Sequence, residues 1–333
     1  MAANKARQAR WRAGLIFDEV RYIGNPLERF ARAVFIGPSA FDTLKRSAAS
    51  EVHSVFDRTF NIIIGAELVG VAQSSISRSP INLITDIPSS ESMPSLGVRK
   101  GMQVQKVGNR VLVGEVLEIS LDGAELWRPK TRAERCLGPK LIKYNLELAK
   151  QIAASKGGRE GLGQLLKYVD EIAAGRKPQT SGLNMVARAV LQRLVDLVKA
   201  AKSENIEGVK GTSQKLIGLG PGLSPSADDA LSGFTAALWW VSHSLNKGID
   251  RVKKINETIA SCSGKTTLLS QQLLKHATKG ETNERVGELL EAILASAPPK
   301  VESGIEEVLK IGETSGIDMI VGVLVGLNLS LSM

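Results

Sequence analysis

The stretch Leu216–Gly233, LIGLGPGLSPSADDALSG, decides how the fold of this chain is read. Glycine and proline punctuate its first half, Ser224-Pro225-Ser226 follows, and Asp228-Asp229 then open an apolar run. Ser224 suits an N-cap, because its hydroxyl can accept from a free backbone N–H, and Pro225 suits the first helical position, because it has no N–H to leave unpaired. The stretch therefore predicts a ligand loop feeding a helix that begins near Ser224. Gly218, Gly220 and Gly222 permit backbone angles closed to other residues, so a ligand can approach the main chain and N–H groups can face an anion.

From Ala230 to Asn246 the predicted helix carries no Asp, Glu, Lys or Arg on any face. A helix apolar all round is buried all round. It is too short and too rich in Ser, Thr, Gly and His for a membrane span, which needs roughly 20 mainly apolar residues, and it reads as the central helix of a soluble domain. Asp228 and Asp229 stand at its mouth one helical step apart, which fans them toward different neighbours. The plainer alternative is that the two acids only complement the helix dipole. A second copy of the arrangement ends the chain: Gly312-Glu313-Thr314-Ser315-Gly316 precedes Ile317-Asp318 and the uncharged run MIVGVLVGLNLSLSM. Its Gly322 and Gly326, four apart, let another helix approach closely. Both helix N-termini are expected to converge on one pocket, with Asp228, Asp229 and Asp318 as candidate catalytic groups. Gly218, Gly220, Gly222, Ser224, Ser226, Thr314 and Ser315 are the candidate substrate-binding groups.

Composition bounds the rest. The 333 residues suffice for two domains, and 43% hydrophobic with 23% charged residues is ordinary for a globular chain. A net charge of +9 and a pI near 9.5 suit anionic metabolites or nucleic acid; only 4% aromatics and no binding motif argue against nucleic acid. Part of the excess sits in Lys5, Arg7, Arg10 and Arg12, a basic tail or a solvated terminus. Cys136 and Cys262 are single and far apart, which fits a reducing cytosol. No segment reads as a targeting signal, and His53, His243 and His276 are too dispersed for a zinc motif. Gly264-Lys265-Thr266-Thr267 ends like a phosphate-binding P-loop, but Ile259 stands where that motif needs glycine and a helix precedes it. Lys265 remains a candidate anion ligand or a solvated lysine.

Along the chain the pattern changes once. Before about Trp127, short β-branched runs (Ala33 to Ile36, Thr59 to Ile64, Leu68 to Ala72, Ile81 to Thr85, Met102 to Val107, Arg110 to Val113, Val116 to Leu121) alternate with turn residues such as Gly65-Ala66, Gly108-Asn109 and Asp122-Gly123. They predict an antiparallel β domain, a barrel or sandwich, over residues 1–127. The charged segment RPKTRAER, residues 128–135, marks the boundary. Residues 136–333 read as an α-helical domain with buried central helices, so the class is α+β. Its further helices are expected at Leu141 to Ala153, Gly163 to Ala174, Asn184 to Ala201, Ile249 to Ser261, Thr266 to Thr278, Glu284 to Ala295 and Ile305 to Ile311.

The runs GLGPGLSPSADDALSGF, TTLLSQQLLKHATKGE and GETSGIDMIVGVLVGL, with Val52-His53-Ser54-Val55-Phe56 and the NIII strand after it, resemble the oxamate carbamoyltransferase subunit AllH-like family. The resemblance covers nearly the whole chain. It implies carbamoyl transfer between carbamoyl phosphate and oxamate, giving oxalurate and phosphate, or oxalurate phosphorolysis in the breakdown of purine-derived allantoin. It also implies FdrA-like and other partner subunits; the cytoplasmic setting is the expectation from the two unpaired cysteines. Ser224 stands where a threonine is common and keeps the hydroxyl; Ala227, where glycine is common, and Glu313 depart from the pattern. Transfer passes through a tetrahedral oxyanion that oriented N–H donors stabilise. Asp228 or Asp229 can take a proton from the attacking nitrogen or hold the carbamoyl NH₂. No cofactor is expected, although the carboxylates offer oxygen ligands of the kind Mg²⁺ takes. The rival from another class is a non-catalytic subunit that binds an anionic metabolite or organises the catalytic chain; an independent hydrolase with an Asp-bound metal is a third.

Overall fold

A computed structural model of the chain describes residues 29–46 and 48–332, so the basic segment around Lys5, Arg7, Arg10 and Arg12 lies outside the described residues. The chain divides into two compact units between Arg128 and Pro129.

The first unit contains β1 (Phe30–Ile36), α1 (Pro38–Leu44), β2 (Ser50–Val55), β3 (Thr59–Ile64), β4 (Glu67–Gln73), β5 (Asn82–Thr85), β6 (Gln103–Val107), β7 (Arg110–Val113), β8 (Leu117–Ser120) and β9 (Glu125–Leu126). Eight strands close into a barrel in the order β1-β5-β4-β3-β2-β6-β7-β8-β1, and the short β9 continues beside β1 where β8 leaves it. The period-2 alternation explains the core: Phe60, Ile62 and Ile64 of β3 and Val69 and Val71 of β4 join one apolar cluster inside. Two-residue connections at Gly65-Ala66 and Gly108-Asn109 make tight antiparallel hairpins, joining Ile64 to Glu67 and Val107 to Arg110.

The barrel departs from a purely antiparallel one in three places, since β4–β5, β1–β8 and β1–β9 pair in parallel. Residues 74–81 contain no hairpin turn of that kind and carry the chain back along β4 before β5 begins. β1 meets β8 through closure rather than through a local connection. Closure gives each of β1 to β8 a neighbour on both sides, which shortens the edges left open to other chains. Three elements escape the sequence pattern, the two-residue β9 among them. α1 starts on Pro38, and β2, SEVHSV, has only two valines among polar residues and owes its strand state to pairing with β3.

The second unit contains α2 (Pro139–Lys156), a 3₁₀ turn at Gly163–Tyr168, α3 (Val169–Ala173), α4 (Met185–Lys202), α5 (Ile206–Leu216), α6 (Ser226–Leu245), α7 (Ile249–Ser261), α8 (Leu268–Ala277), α9 (Glu284–Ala295), α10 (Pro298–Leu309) and α11 (Ser315–Ser332). The stretch from Gly163 to Ala174 is thus a 3₁₀ turn and a short helix instead of one helix. α5 escapes the periodicity because Gly208 and Gly211 dilute it; the Asn205 side chain caps it, accepting from Gly208 N at 2.9 Å. The segment expected as a boundary is anchored on the helical unit: Lys130 pairs with Glu291 at 2.8 Å and Ala133 N donates to Ser244 Oγ at 2.9 Å.

The expected N-cap moves by one residue. Pro225 is the cap of α6, extended at φ −55° and ψ 142°, and its carbonyl accepts from Asp228 N and Asp229 N. Ser224 lies outside the helix because its hydroxyl donates to the Asp229 carboxylate instead of accepting from a helical N–H.

α6 and α11 form the centre of the unit and are largely buried on all faces. They touch backbone to backbone. A Cβ on Gly322 would lie 1.9 Å from the Ala230 carbonyl oxygen, one on Gly233 2.2 Å from that of Met319, and one on Gly326 2.7 Å from that of Phe234. Ala230 lies against Gly322, Gly233 against Val323 and Phe234 against Gly326, so residue numbers rise together and the helices run parallel with their N-termini side by side. α11 is also long and apolar enough to cross a membrane, with a mean hydropathy of 1.6, and 72% of it is buried within the chain. Trp240, fully buried on α6, donates its indole N–H to Gly280 O at 2.9 Å.

Gly322→Ala should therefore destabilise the helical unit by about 1–3 kcal/mol or more, as overpacking does. Gly211→Ala, at a helical position where an added Cβ meets nothing within 4 Å, should stabilise it by about 0.5–1 kcal/mol. Urea denaturation followed by far-ultraviolet dichroism measures both; equal effects would contradict the backbone contact.

Candidate functional site

The parallel register of α6 and α11 brings two small-residue turns to one end of the unit. Ser224 Oγ lies 3.3 Å from Ser315 Oγ, across 91 residues of sequence. Around this pair, Gly218, Gly220 and Gly222 are exposed and Ser224, Thr314 and Ser315 half-buried, so the surface of the cluster consists of loop backbone and hydroxyls. The acids lie beneath: Asp228, Asp229 and Asp318 are 1%, 2% and 0% exposed. Ser226 is buried with them at the first turn of α6.

The two adjacent aspartates do diverge. Asp228 turns back to the glycine loop, accepting from Gly218 N at 2.8 Å and from Thr266 Oγ1 at 2.5 Å. Burial raises its pKa, and the Thr266, Gly218 and Ser270 hydrogen bonds hold the rise down. Both of its oxygens are thus engaged in fixing the loop. Thr267, the N-cap of α8, clamps the same loop by donating its hydroxyl to Leu223 O at 2.5 Å.

Asp229 faces α11. Ser224 donates to its Oδ2, and Ser315 also lies close enough to favour its ionised form. Burial nevertheless pushes its pKa well above the ordinary carboxylate value, and the charges of Asp318 and Asp228 push it further. Asp318 accepts from Leu162 N at 2.6 Å through Oδ1, while its buried Oδ2 has no hydrogen-bond partner among the described residues. Its pKa is raised to about 6 by burial, against the Leu162 N–H and the nearby Ser226 and Thr314 hydroxyls.

Lys265 is exposed, with its carbonyl oxygen 3.3 Å from where a Gly218 Cβ would sit. The loop glycines differ among themselves. Gly220, at φ 122°, lies over the start of α6, where a Cβ would approach Ser226 N to 2.6 Å; at Gly222, φ 88°, a Cβ would meet nothing within 4 Å. Gly220 therefore serves the fold of the loop, and Gly222 leaves its outer face open. Among the described residues no group of three or more His, Cys, Asp and Glu side chains is arranged to hold a metal ion.

Sequence reasoning missed the segment that covers Asp318. Gly161, at φ 53°, passes so close that a Cβ there would lie 2.4 Å from Asp318 Oδ1. Asn184 ties this segment down by donating to Gly161 O at 2.8 Å while its Oδ1 caps α4 through Ala187 N at 2.8 Å. The glycines of KGGREGLG, residues 156–163, were the available signal.

The raised pKa of Asp318 makes a pH prediction. Because the folded value, about 6, exceeds the ordinary 3.8, the native state binds this proton more tightly than the unfolded chain does. That contribution is fully present below about pH 4 and is lost as the pH rises through about 6; a difference of this size corresponds to about 3 kcal/mol. Asp318→Asn retains an oxygen for Leu162 N–H and removes the titration. The melting temperature of the variant relative to that of the native chain should therefore rise between about pH 4 and about pH 7. A difference that does not change with pH would defeat the assignment.

Two family models match the chain. The model of a family described as oxamate carbamoyltransferase subunit AllH matches residues 216–327, from the glycine loop to the interior of α11. The model of the AllH family N-terminal domain matches residues 32–126, the strands of the barrel. No solved structure matches the chain. With both halves matched in order over most of its length, the chain belongs to the AllH family of oxamate carbamoyltransferase subunits.

Proposed function

We propose that this chain binds the anionic reactants of carbamoyl transfer, carbamoyl phosphate and oxamate or, in reverse, oxalurate and phosphate, between the Gly218–Ser224 loop and the Thr314–Ser315 turn. The observation that carries this proposal is the meeting of two parallel helix N-termini, with Ser224 and Ser315 hydroxyls 3.3 Å apart at their surface. Helix N-termini present unpaired N–H groups and the positive end of two macrodipoles, and both favour an anion. Among the described residues the N–H groups of Gly220 and Gly222 have no protein partner, which leaves them for a ligand.

In the forward direction the oxamate nitrogen attacks the carbamoyl carbon. The C–N bond forms, the C–O bond to phosphate breaks, phosphate leaves, and the nitrogen gives up a proton. The loop N–H groups and the two hydroxyls supply donors to the oxyanion that forms in between. Asp229, whose proton affinity burial raises and which holds the Ser224 hydroxyl, is the acid placed to receive that proton through Ser224. Asp228 and Asp318 act on position: one fixes the loop through Gly218, the other fixes the segment at Leu162. Lys265, exposed beside Gly218, is available to an incoming anion.

The complete burial of the acids also favours a second reading, in which the chain holds the anion and an FdrA-like partner subunit performs the transfer. Purified chain, alone and reconstituted with its partner subunits, separates the two when assayed for phosphate release from carbamoyl phosphate and oxamate. Ser224→Ala and Ser315→Ala should each lower kcat/KM of the complex by roughly 100-fold, the scale of a lost oxyanion donor, with folding unchanged. Asp229→Asn should abolish turnover under the first reading and leave it measurable under the second. Full activity in both serine variants would overturn the site itself.

A further inference from the structure

At one end of the barrel the wall is incomplete. β2 and β6 pair only at Ser50–Val104 and Glu51–Gln103, so β6 runs on through Gln105 and Lys106 without β2 beside it. A cavity of about 840 Å³ opens there, between β6 and the segment that follows α1. Its floor is the apolar end of the barrel core, including Ile36, Ile64, Val104 and Val111. An eight-stranded barrel has room inside for side chains or for one small ligand, and small-molecule sites typically measure about 300–1,000 Å³.

The lining is one-sided in charge. Lys45, Arg46 and Lys106 contribute to it, and no Asp or Glu among the described residues does. Lys45 and Arg46 are paired with Asp42 at 3.3 Å and Glu67 at 3.0 Å, neither of which lines the cavity. Lys106 differs from both in direction. It stands opposite Val111 in the β6–β7 ladder and on the strand face of Val104, so its stem borders the open cavity, and its ammonium donates to Gly108 O at 2.9 Å. Partial burial lowers its pKa, and an anion beside it would offset that effect. A lysine on the inner face of a strand can also serve to discourage edge pairing. That role requires neither a cavity behind it nor a lining free of acids.

We propose that this end of the barrel is a ligand site separate from the helix N-termini, for a small organic carboxylate with an apolar body. The body lies on Ile36, Ile64, Val104 and Val111, and the carboxylate meets Lys106, with Arg46 at the rim.

Isothermal titration calorimetry on the full chain, using sodium octanoate, octanamide and sodium phosphate as probes, tests this. Octanoate should bind one to one, and octanamide and phosphate at least about tenfold more weakly, the scale of a lost charge-assisted hydrogen bond. Lys106→Gln should reduce octanoate to the level of octanamide, and Lys106→Arg should restore most of the difference. Absence of octanoate binding, equal binding of octanamide, or octanoate affinity unchanged in Lys106→Gln would each overturn the proposal. Since Lys106 lies at a strand end and is exposed, the variant is expected to fold; an unchanged thermal transition confirms it and makes a loss of binding interpretable.

Discussion

The backbone contact between α6 and α11 is the constraint on which the helical unit depends. Two helices that carry no charge beyond the acids of their first turns must both occupy the interior, and Gly233, Gly322 and Gly326 let them do so at backbone distance. At that distance the offset between the chains is set by carbonyl groups and leaves little freedom to slide. The parallel register follows, and with it the placing of Ser226 beside Asp318 and of Ser224 beside Ser315. A site made of two turns separated by some ninety residues of sequence is thereby fixed by a contact one to three helical turns deeper in the core.

The same arrangement explains why three carboxylates tolerate burial. A buried ionised carboxylate is costly unless hydrogen-bonded, and these draw donors from the glycine loop, the turn before α8 and the segment at Leu162. Asp228 uses Gly218 and Thr266, Asp229 uses Ser224, and Asp318 uses Leu162. The acids cross-link the loops to the helix starts, and their raised pKa values show that this compensation is incomplete. The unpartnered Oδ2 of Asp318 is the plainest instance.

Much of this was legible in the sequence, for identifiable reasons. Absence of charge over Ala230 to Asn246 and over the last fifteen residues reports burial directly, and glycines before Ser-Pro-Ser report a loop that needs positive φ. The barrel strands were legible where β-branched residues alternate, and β2 was not, because its polar sequence is held by neighbours and not by its own pattern. The partner of Asp318 was illegible for a different reason. Leu162 offers only a backbone N–H, 156 residues away, and backbone groups leave no residue-specific trace. The cavity at Lys106 arises from where a ladder stops, a property of pairing that no single segment encodes.

The closure of the barrel also orders events in time. β1 is the first strand of the described chain, yet its neighbours are β5 on one side and β8 and β9 on the other, the latter made only when the chain has reached Leu126. On the ribosome β1 must therefore wait, with one side unpaired, until almost a hundred further residues have emerged. Contacts this distant in sequence slow folding, because loop entropy must be lost before they form. The hairpins β3–β4 and β6–β7 can form locally during that wait, so the first of the described strands to be synthesised is the last to be locked.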